Sequence, residues 1–160
     1  MIVVADTSVL LNLSRIGQVE LLLRLFREVV VPETVAGEFR RLARATPRFQ
    51  GLILPEWVCV RSETAAVPEV RTSGLDPGEV AAIELALAIR ADALLVDERR
   101  GQAVAKRLGL RTIGVLGILL QAKRSGLVPR MVTLLDALEV EAQFWISAEL
   151  RQRVLELAGE

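Results

Sequence analysis

The chain has 160 residues, of which 52% are hydrophobic, with 20 basic and 20 acidic side chains. This length and composition predict a single domain over residues 1–160 with an aliphatic core. The zero net charge excludes binding to nucleic acid through bulk positive charge, so any such contact must be local. The chain has no histidine, which excludes a histidine base and a histidine-ligated zinc site.

The cysteine content and the first residues indicate the compartment. Cys59 is the single cysteine, so no intramolecular disulfide can form, as expected in a reducing cytoplasm. The opening MIVVADTS has no basic leader, and no apolar run reaches the roughly 20 residues of a membrane span. We therefore expect a soluble cytoplasmic protein that does not bind a membrane.

Short apolar runs alternate with helical patterns along most of the chain. The runs that resemble buried strands are IVVA (2–5), VVV (29–31), WVCV (57–60), ALLV (93–96) and RTIGV (111–115). Helical patterns occupy 8–26 with a break near Gly17, then 33–45, 77–90, 100–108 and the segment from 116 onward. This alternation predicts an α/β fold with a central parallel sheet. The irregular residues 46–76 are expected to form a flap or a partner surface.

Two aspartates directly follow predicted strands. Asp6 comes after IVVA and Asp97 after ALLV, whereas Asp92 comes before its strand. In a parallel sheet all strands end at the same edge, and the crossover helices begin there. Asp6 and Asp97 are therefore expected at the carboxyl edge, and Asp92 at the opposite one.

Two helical glutamates are predicted to join them. Glu79 lies in the first turn of the helix that LDPGE begins, on its inward face, while Glu84 is turned away by roughly 140°. Glu38 lies in the first half of the helix after VVV, at the border of its apolar stripe, while Glu33 points the other way. Asp6, Glu38, Glu79 and Asp97 are thus predicted to converge on one edge.

Crowded carboxylates repel one another, so this arrangement calls for a cation between them. Because the ligands would all be oxygens, the pattern favours a hard cation such as Mg²⁺ or Mn²⁺. Two such ions held by carboxylates can activate water and stabilise the leaving oxygen of a phosphodiester. The predicted chemistry is metal-assisted hydrolysis of a phosphate ester.

Each residue also has an ordinary structural interpretation. Asp6 and Asp97 could cap the helices that follow them, and DPGE at 76–79 fits a capping box that includes Glu79. Glu38 alone could be a solvated helical glutamate. Capping accounts for three of the four positions but not for Glu38, which favours the metal site.

Four further residues are candidates for substrate binding. The hydroxyls of Thr7 and Ser8 could position a phosphate or a metal-bound water, or they could cap the first helix. Arg99 and Arg100, beside Asp97, could contact substrate phosphates or could simply be surface charge.

Four segments in order, VADTSVLLNLSRIG, VVVPETVAGEF, LDPGEVAAIELALAIRADALLVDERRG and RTIGVLGILLQAKRSGLV, resemble the PIN-domain ribonucleases, especially the toxins of prokaryotic toxin-antitoxin systems. The resemblance covers residues 2 to about 128 and implies a three-layer α/β/α fold with a central parallel sheet. It also implies RNA cleavage with Mg²⁺ or Mn²⁺ bound by Asp6, Glu38, Glu79 and Asp97. The third acidic position is often aspartate in the family, and Glu79 is longer by one methylene.

The same resemblance implies partners. We expect an RNA substrate, an antitoxin protein and a homodimer. The helical segment 129–160 lies beyond the matched part and is interpreted as an extension that covers the sheet, forms a dimer surface or receives the antitoxin.

Two alternative functions remain open at this stage. One is a catalytically weak PIN-like binding module. The other is a phosphatase of the haloacid dehalogenase type, although its D-x-D-x-T motif would have Ser8 in place of the second aspartate. A dinucleotide-binding role is disfavoured, because the first strand-helix turn has no glycine-rich fingerprint.

Overall fold

The computed structural model describes residues 1–62 and 65–160. The strands are β1 (Ile2–Ala5), β2 (Glu28–Pro32), β3 (Cys59–Arg61), β4 (Ala93–Leu95) and β5 (Thr112–Ile113). The helices are α1 (Thr7–Arg15), α2 (Glu20–Leu25), α3 (Glu33–Ala45), α4 (Pro68–Arg71), α5 (Pro77–Ala88), α6 (Arg99–Arg107), α7 (Val115–Arg124), α8 (Met131–Val140) and α9 (Ala148–Leu157). A short 3₁₀ helix spans Pro47–Phe49.

The strands form one parallel sheet in the order β3-β2-β1-β4-β5. Val4 at the centre pairs with Val30 on one side and with Leu94 on the other, and all three side chains are fully buried. Helices cover the sheet, which explains why its central strands are apolar runs without alternation. The predicted three-layer α/β/α fold is confirmed.

All five predicted strands occur, but several bounds differ: β3 begins two residues later than WVCV predicted, β4 ends one residue earlier than ALLV predicted, and the last strand is much shorter than expected. The prediction RTIGV reduces to Thr112–Ile113, because Gly114 is already the residue before α7 and Val115 begins that helix. The break predicted near Gly17 separates α1 from α2, and Gly17 has a φ of +70° there. This left-handed conformation is one that glycine adopts without a steric penalty.

The strand order reverses direction beside β1. The chain adds β2 and β3 on one side of β1 and then returns to add β4 and β5 on the other. Ligands of open α/β sheets bind in the crevice outside the carboxyl ends of the strands at such a switch point. The backbone N–H of Asp6 donates to the carbonyl of Leu95 at 2.9 Å, so Asp6 is held at this crevice by the sheet itself.

Helix α5 is buried on nearly all sides, because it packs against β1, β2, β4, α3 and α4. The prediction that Glu84 points away from the interior is wrong, since its side chain is 2% exposed. The residues before and within α4 cover that side of α5. Glu84 accepts hydrogen bonds from the Arg71 guanidinium at 2.9 Å and from the Val67 N–H at 2.6 Å.

The predicted flap over 46–76 contains the 3₁₀ helix, β3 and α4. It also includes residues 63 and 64, which lie outside the described residues. At the other end of the chain, α8 and α9 pack on α7 and on each other. Within residues 1–62 and 65–160, no helix is both long and apolar enough to cross a membrane.

Candidate metal site

Asp6 occupies the turn from β1 into α1. Its backbone is extended, its side chain is 5% exposed, and that side chain makes no capping hydrogen bond to α1. Burial raises the pKa of Asp6 to about 7, and the negative charges of Asp76, Glu38 and Asp97 raise it further against the hydrogen bond from the Thr7 backbone. Asp6 is the N-cap residue of α1 by position, but its side chain makes no capping hydrogen bond there, and its carboxyl group lies among like charges.

Thr7 and Glu38 form one unit. The Thr7 hydroxyl donates to Oε2 of Glu38 at 2.8 Å, which joins the first residue of α1 to the first half of α3. The Thr7 side chain, interpreted from the sequence as a possible cap, instead positions a carboxylate. The half-buried Ser8 side chain makes no hydrogen bond within the described part of the chain.

At the start of α5, Asp76 caps the helix, whereas one oxygen of the Glu79 side chain is left free to act as a metal ligand. Oδ1 of Asp76 accepts a hydrogen bond from the Glu79 backbone N–H at 2.8 Å, so Asp76 is the N-cap. The Glu79 side chain is 7% exposed, and its Oε2 has no hydrogen-bond partner. Burial raises the pKa of Glu79 to about 8, assisted by the side chain and charge of Asp76 and by the charges of Asp6 and Glu98.

Asp97 uses one carboxylate oxygen for the fold and leaves the other unpaired. Oδ1 accepts from the backbone N–H of Val115, the first residue of α7, at 2.9 Å. Oδ2 is buried without a partner. Burial raises the pKa of Asp97 to about 6, against the lowering effect of the Val115 hydrogen bond. Asp97 does not cap α6, whose N-cap is Glu98.

Three glycines lie against three of these carboxylates. A Cβ atom added at Gly78 would overlap the Glu38 carboxylate. One added at Gly101 would lie 2.8 Å from Oε2 of Glu79. At Gly114 the corresponding distance, to Oδ1 of Asp97, would be 2.6 Å. Each carboxylate thus occupies space that a side chain at the neighbouring helix start would fill.

The two arginines predicted beside Asp97 differ in their contacts. Arg100 donates to the Ser73 carbonyl at 3.1 Å, and its guanidinium lies close to Gly74. Arg99 is exposed and forms no salt bridge within the described ranges. Arg100 therefore ties the loop before α5 to α6, and contact of either arginine with substrate stays a prediction.

The charges of Glu38, Glu79 and Asp97 lie near enough to act electrostatically with Asp6, and no positive charge in the described part of the chain balances them. Among residues 1–62 and 65–160, none of Asp6, Glu38, Glu79 and Asp97 forms a salt bridge. In the same residues, no three or more Asp, Glu, Cys or His side chains are close enough to hold a metal ion as they stand. Two orphaned carboxylate oxygens, raised pKa values and an all-oxygen donor set nevertheless fit a hard divalent cation.

Sequence reasoning missed two acidic neighbours and the glycines. Asp76 was assigned to capping alone, yet its charge acts on both Asp6 and Glu79. The sequence patterns assign no role to Glu98, yet its charge raises the pKa of Glu79. Its position directly after Asp97 at the carboxyl edge was a signal that could have placed it near the site. The glycines gave no such signal, because their role depends on distances between helices that are far apart in sequence.

An open parallel sheet with carboxylates at its switch point defines a class of α/β proteins that bind ligands at the carboxyl ends of the strands. The family model described as "DUF3368: PIN domain" matches residues 2–160, so the chain belongs to the PIN-domain family. The match includes the segment from 129 onward that the sequence motifs left uncovered. PIN domains are generally nucleases and typically use divalent metal ions.

One solved structure supports the fold. The chain is similar to a PilT N-terminus domain protein from the hyperthermophilic archaeon Sulfolobus solfataricus P2, with a TM-score of 0.57 and 18% sequence identity. The similarity covers 76% of this chain and 93% of that one. Comparison with functionally curated proteins gave no significant match.

Proposed function

We propose that the protein is an endoribonuclease that hydrolyses RNA phosphodiester bonds with Mg²⁺ or Mn²⁺ at the switch point of the sheet. The observation that carries the proposal is the set of two buried carboxylates, Asp6 and Glu79, and the half-buried Asp97, whose Oδ2 is buried without a partner. Their pKa values are all raised, and no cation of the described chain pairs with them. Burying several carboxylates without a counter-charge is costly, and a resident divalent cation would offset that cost.

Asp6, Glu38, Glu79 and Asp97 would hold the cation. When bound, it would lower the pKa of a water molecule and stabilise the charge that develops on the phosphate. The chain supplies the orientation. Thr7 fixes one oxygen of Glu38, and the start of α7 fixes one oxygen of Asp97. The remaining oxygens of these two carboxylates are thereby aimed by elements of the fold, which reduces the entropy lost on binding an ion.

The finer parts of the proposal are a toxin role in the cytoplasm, an antitoxin partner and a homodimer. They rest on the sequence resemblance to toxin-like PIN proteins. They would be supported by a small reading frame beside the gene, if its product co-purifies with this chain and suppresses the RNA cleavage. Membership of the PIN family removes the basis for a haloacid dehalogenase phosphatase, while a weak binding module remains an outcome of the experiment below.

The central experiment incubates the purified protein with single-stranded and hairpin RNA in Mg²⁺, in Mn²⁺ and in chelator. We expect internal cleavage that needs the metal, and a loss of about 100-fold or more in Asp6→Asn, Asp97→Asn and Glu38→Gln. Glu33→Gln is the matched control, because Glu33 is an exposed glutamate on the same helix as Glu38. Its cleavage rate should equal that of the wild type.

Two results would contradict the proposal. Cleavage that survives both Asp6→Asn and Asp97→Asn would remove these residues from the site. A folded protein that binds Mn²⁺ in calorimetry but cleaves none of the RNAs would favour the binding module.

A further inference from the structure

Residues 39–55 carry a local positive charge within a chain of zero net charge. This segment contains Arg40, Arg41, Arg44 and Arg48, here called the arginine strip, and no acidic residue. All four side chains are exposed. None of them forms a salt bridge to another described residue. Four uncompensated guanidinium groups in nine residues create a concentrated anion-attracting surface.

The strip begins beside the candidate metal site. Arg41 follows Glu38 by three residues on α3, which places it about 60° around the helix and about 4.5 Å along its axis. Arg44 lies another three residues along α3 and a further 60° or so around it, and Arg48 follows in the 3₁₀ helix. The positive charge therefore starts one turn from a predicted metal ligand and extends away from it.

A groove of about 690 Å³ lies beside two members of the strip, Arg40 and Arg44. One wall consists of the α3 residues Arg40, Ala43 and Arg44, and the other of residues 50–54. The second wall is apolar, with Leu52, Leu54 and an Ile53 side chain that is 82% exposed. The groove thus combines charged donors on one side with an exposed aliphatic surface on the other.

Arg48, the last member of the strip, is held in one orientation by a neighbouring aromatic ring. Its guanidinium lies 4.5 Å from the centroid of the Phe49 ring, so its orientation is restrained by stacking. A guanidinium held in this way keeps its N–H groups available for a phosphate, which it can bind with two parallel hydrogen bonds.

We propose that the arginine strip and its groove bind a single-stranded nucleic acid, with the phosphodiester backbone on the arginines and the bases against residues 52–54. The inference rests on the proposed function in one respect: the strand bound here is the one cleaved at the acidic site. That site repels phosphates, so nearby positive charge is needed to bring a polyanion to it. A single strand is favoured over a duplex because its base faces are free to contact the apolar wall.

The test measures binding without cleavage. Fluorescence anisotropy with labelled oligouridylate and oligothymidylate is recorded for the wild type in chelator and for Asp6→Asn, over a series of salt concentrations. The variant Arg40→Gln/Arg41→Gln/Arg44→Gln should lose at least about tenfold in affinity, and the slope of log K against log salt should fall by about 2. Ile53→Ser should weaken binding by about threefold without changing the slope.

The matched control is Arg24→Gln/Arg27→Gln/Arg107→Gln, which removes the same charge from exposed arginines that form no described salt bridge. Its affinity and slope should follow the wild type. Binding of either oligonucleotide through the strip supports the inference, and a preference for the RNA oligonucleotide identifies the 2′-hydroxyl as part of recognition.

Three outcomes would overturn the inference. The first is unchanged affinity in the strip variant, and the second is an equal loss in the control variant. The third is found by adding a labelled polyglutamate peptide as a further probe: the strip variant loses binding to the peptide but keeps its binding to nucleic acid. The last outcome would make the groove a docking site for an acidic polypeptide. Failure of the proposed function can be told apart from failure of this inference. If the wild type binds RNA through the strip but never cleaves it, only the nuclease proposal is refuted. Cleavage that depends on Asp6 but not on the strip refutes the strip alone.

Discussion

Two glutamates five residues apart on α5 are both buried, yet their surroundings are opposite. Glu79 has an oxygen without any partner, and its pKa is raised to about 8 by burial and by neighbouring negative charge. Glu84 accepts hydrogen bonds from Arg71 and from the Val67 N–H, which lower its pKa against the effect of burial. The same residue type on the same helix is stabilised at one position and left uncompensated at the other.

This comparison shows that burial alone does not mark a functional carboxylate. A buried charge that is satisfied within the chain serves the fold, as Glu84 does by holding the segment around α4 on α5. A buried charge without a counter-ion has a cost that a bound ligand can offset, which makes Glu79 the candidate for function. The missing partner, and not the exposed fraction, separates the two.

The largest expected difference is in catalysis. Glu79→Gln should reduce metal-dependent RNA cleavage by about 100-fold, because the amide is a weaker ligand for a hard cation than the carboxylate. Glu84→Gln should retain the wild-type rate per folded molecule. Single-turnover cleavage, corrected for the folded fraction by circular dichroism, measures both. Equal losses in the two variants would mean that α5 contributes to activity only through its packing.

The next difference is in the free energy of unfolding, where substitution of Glu84 should have the larger effect and substitution of Glu79 the smaller one. Glu84→Gln should lower the free energy of unfolding by about 2 kcal/mol, because the neutral amide accepts fewer of the bonds from Arg71 and Val67 and weakens those that remain. Glu79→Gln should leave that free energy unchanged or raise it in metal-free buffer at about pH 8. Urea denaturation of both variants gives the comparison. A more stable Glu84→Gln protein would show that the Arg71 pair contributes nothing to the fold.

A third expectation concerns pH. The folded-state pKa values of Asp6 and Glu79 are raised to about 7 and about 8, so the folded protein binds protons more tightly than the unfolded chain. This contribution to stability is fully present below about pH 4 and is lost as pH rises through these two values. We expect metal-free protein to lose stability between about pH 5 and about pH 9, by at most about 7 kcal/mol if the two groups titrate independently.

Saturating Mn²⁺ should reduce that loss, because the cation replaces the protons on the carboxylates. The double variant Asp6→Asn/Glu79→Gln should flatten the profile without metal. Thermal unfolding across the pH range tests all three proteins. If metal-free wild type gained stability over this range, the uncompensated state of the two carboxylates would be refuted.

The smallest expected effect comes from Gly101→Ala. The added methyl group would press on Oε2 of Glu79, a flexible carboxylate tip, and on a Val96 methyl group at 3.3 Å. The carboxylate can shift, so we expect metal affinity to weaken by only about threefold to tenfold, with little change in stability. The control is Gly37→Ala, since nothing lies within 4 Å of the Cβ position at Gly37. Gly109→Ala is unsuitable as a control, because Gly109 has a φ of +85° and alanine would be strained there. Unchanged Mn²⁺ binding in calorimetry would show that Gly101 has no part in positioning Glu79.

The sequence allowed the sheet and the position of its acidic edge to be predicted, because both follow from patterns within single segments. Apolar runs locate the strands, and an aspartate after a strand must lie at the carboxyl edge of a parallel sheet. The same rule placed Asp92 at the opposite edge, where its carboxylate accepts a hydrogen bond from the Ile2 N–H at 2.7 Å.

What could not be predicted depends on contacts between distant segments. Glu84 lies about 140° around α5 from Glu79, but this angle does not reveal that the α4 region covers that side of α5. The Thr7–Glu38 hydrogen bond spans 31 residues and has no local signature. Assignment of the carboxylates as metal ligands stays a prediction, since proximity and charge identify candidates and only binding measurements identify ligands.

The two carboxylate oxygens of Asp97 have different surroundings, and this difference suggests a variant for capturing a protein–RNA complex. One oxygen holds the start of α7 and the other is orphaned, so an asparagine can keep the first as its carbonyl oxygen while the second becomes an uncharged amide nitrogen. If the proposed nuclease activity holds, Asp97→Asn should keep the fold and slow cleavage by about 100-fold. On that proposal, Asp97→Asn is the variant suited to holding an uncleaved strand for crystallisation, because Asp97→Ala would also lose the hydrogen bond to the start of α7.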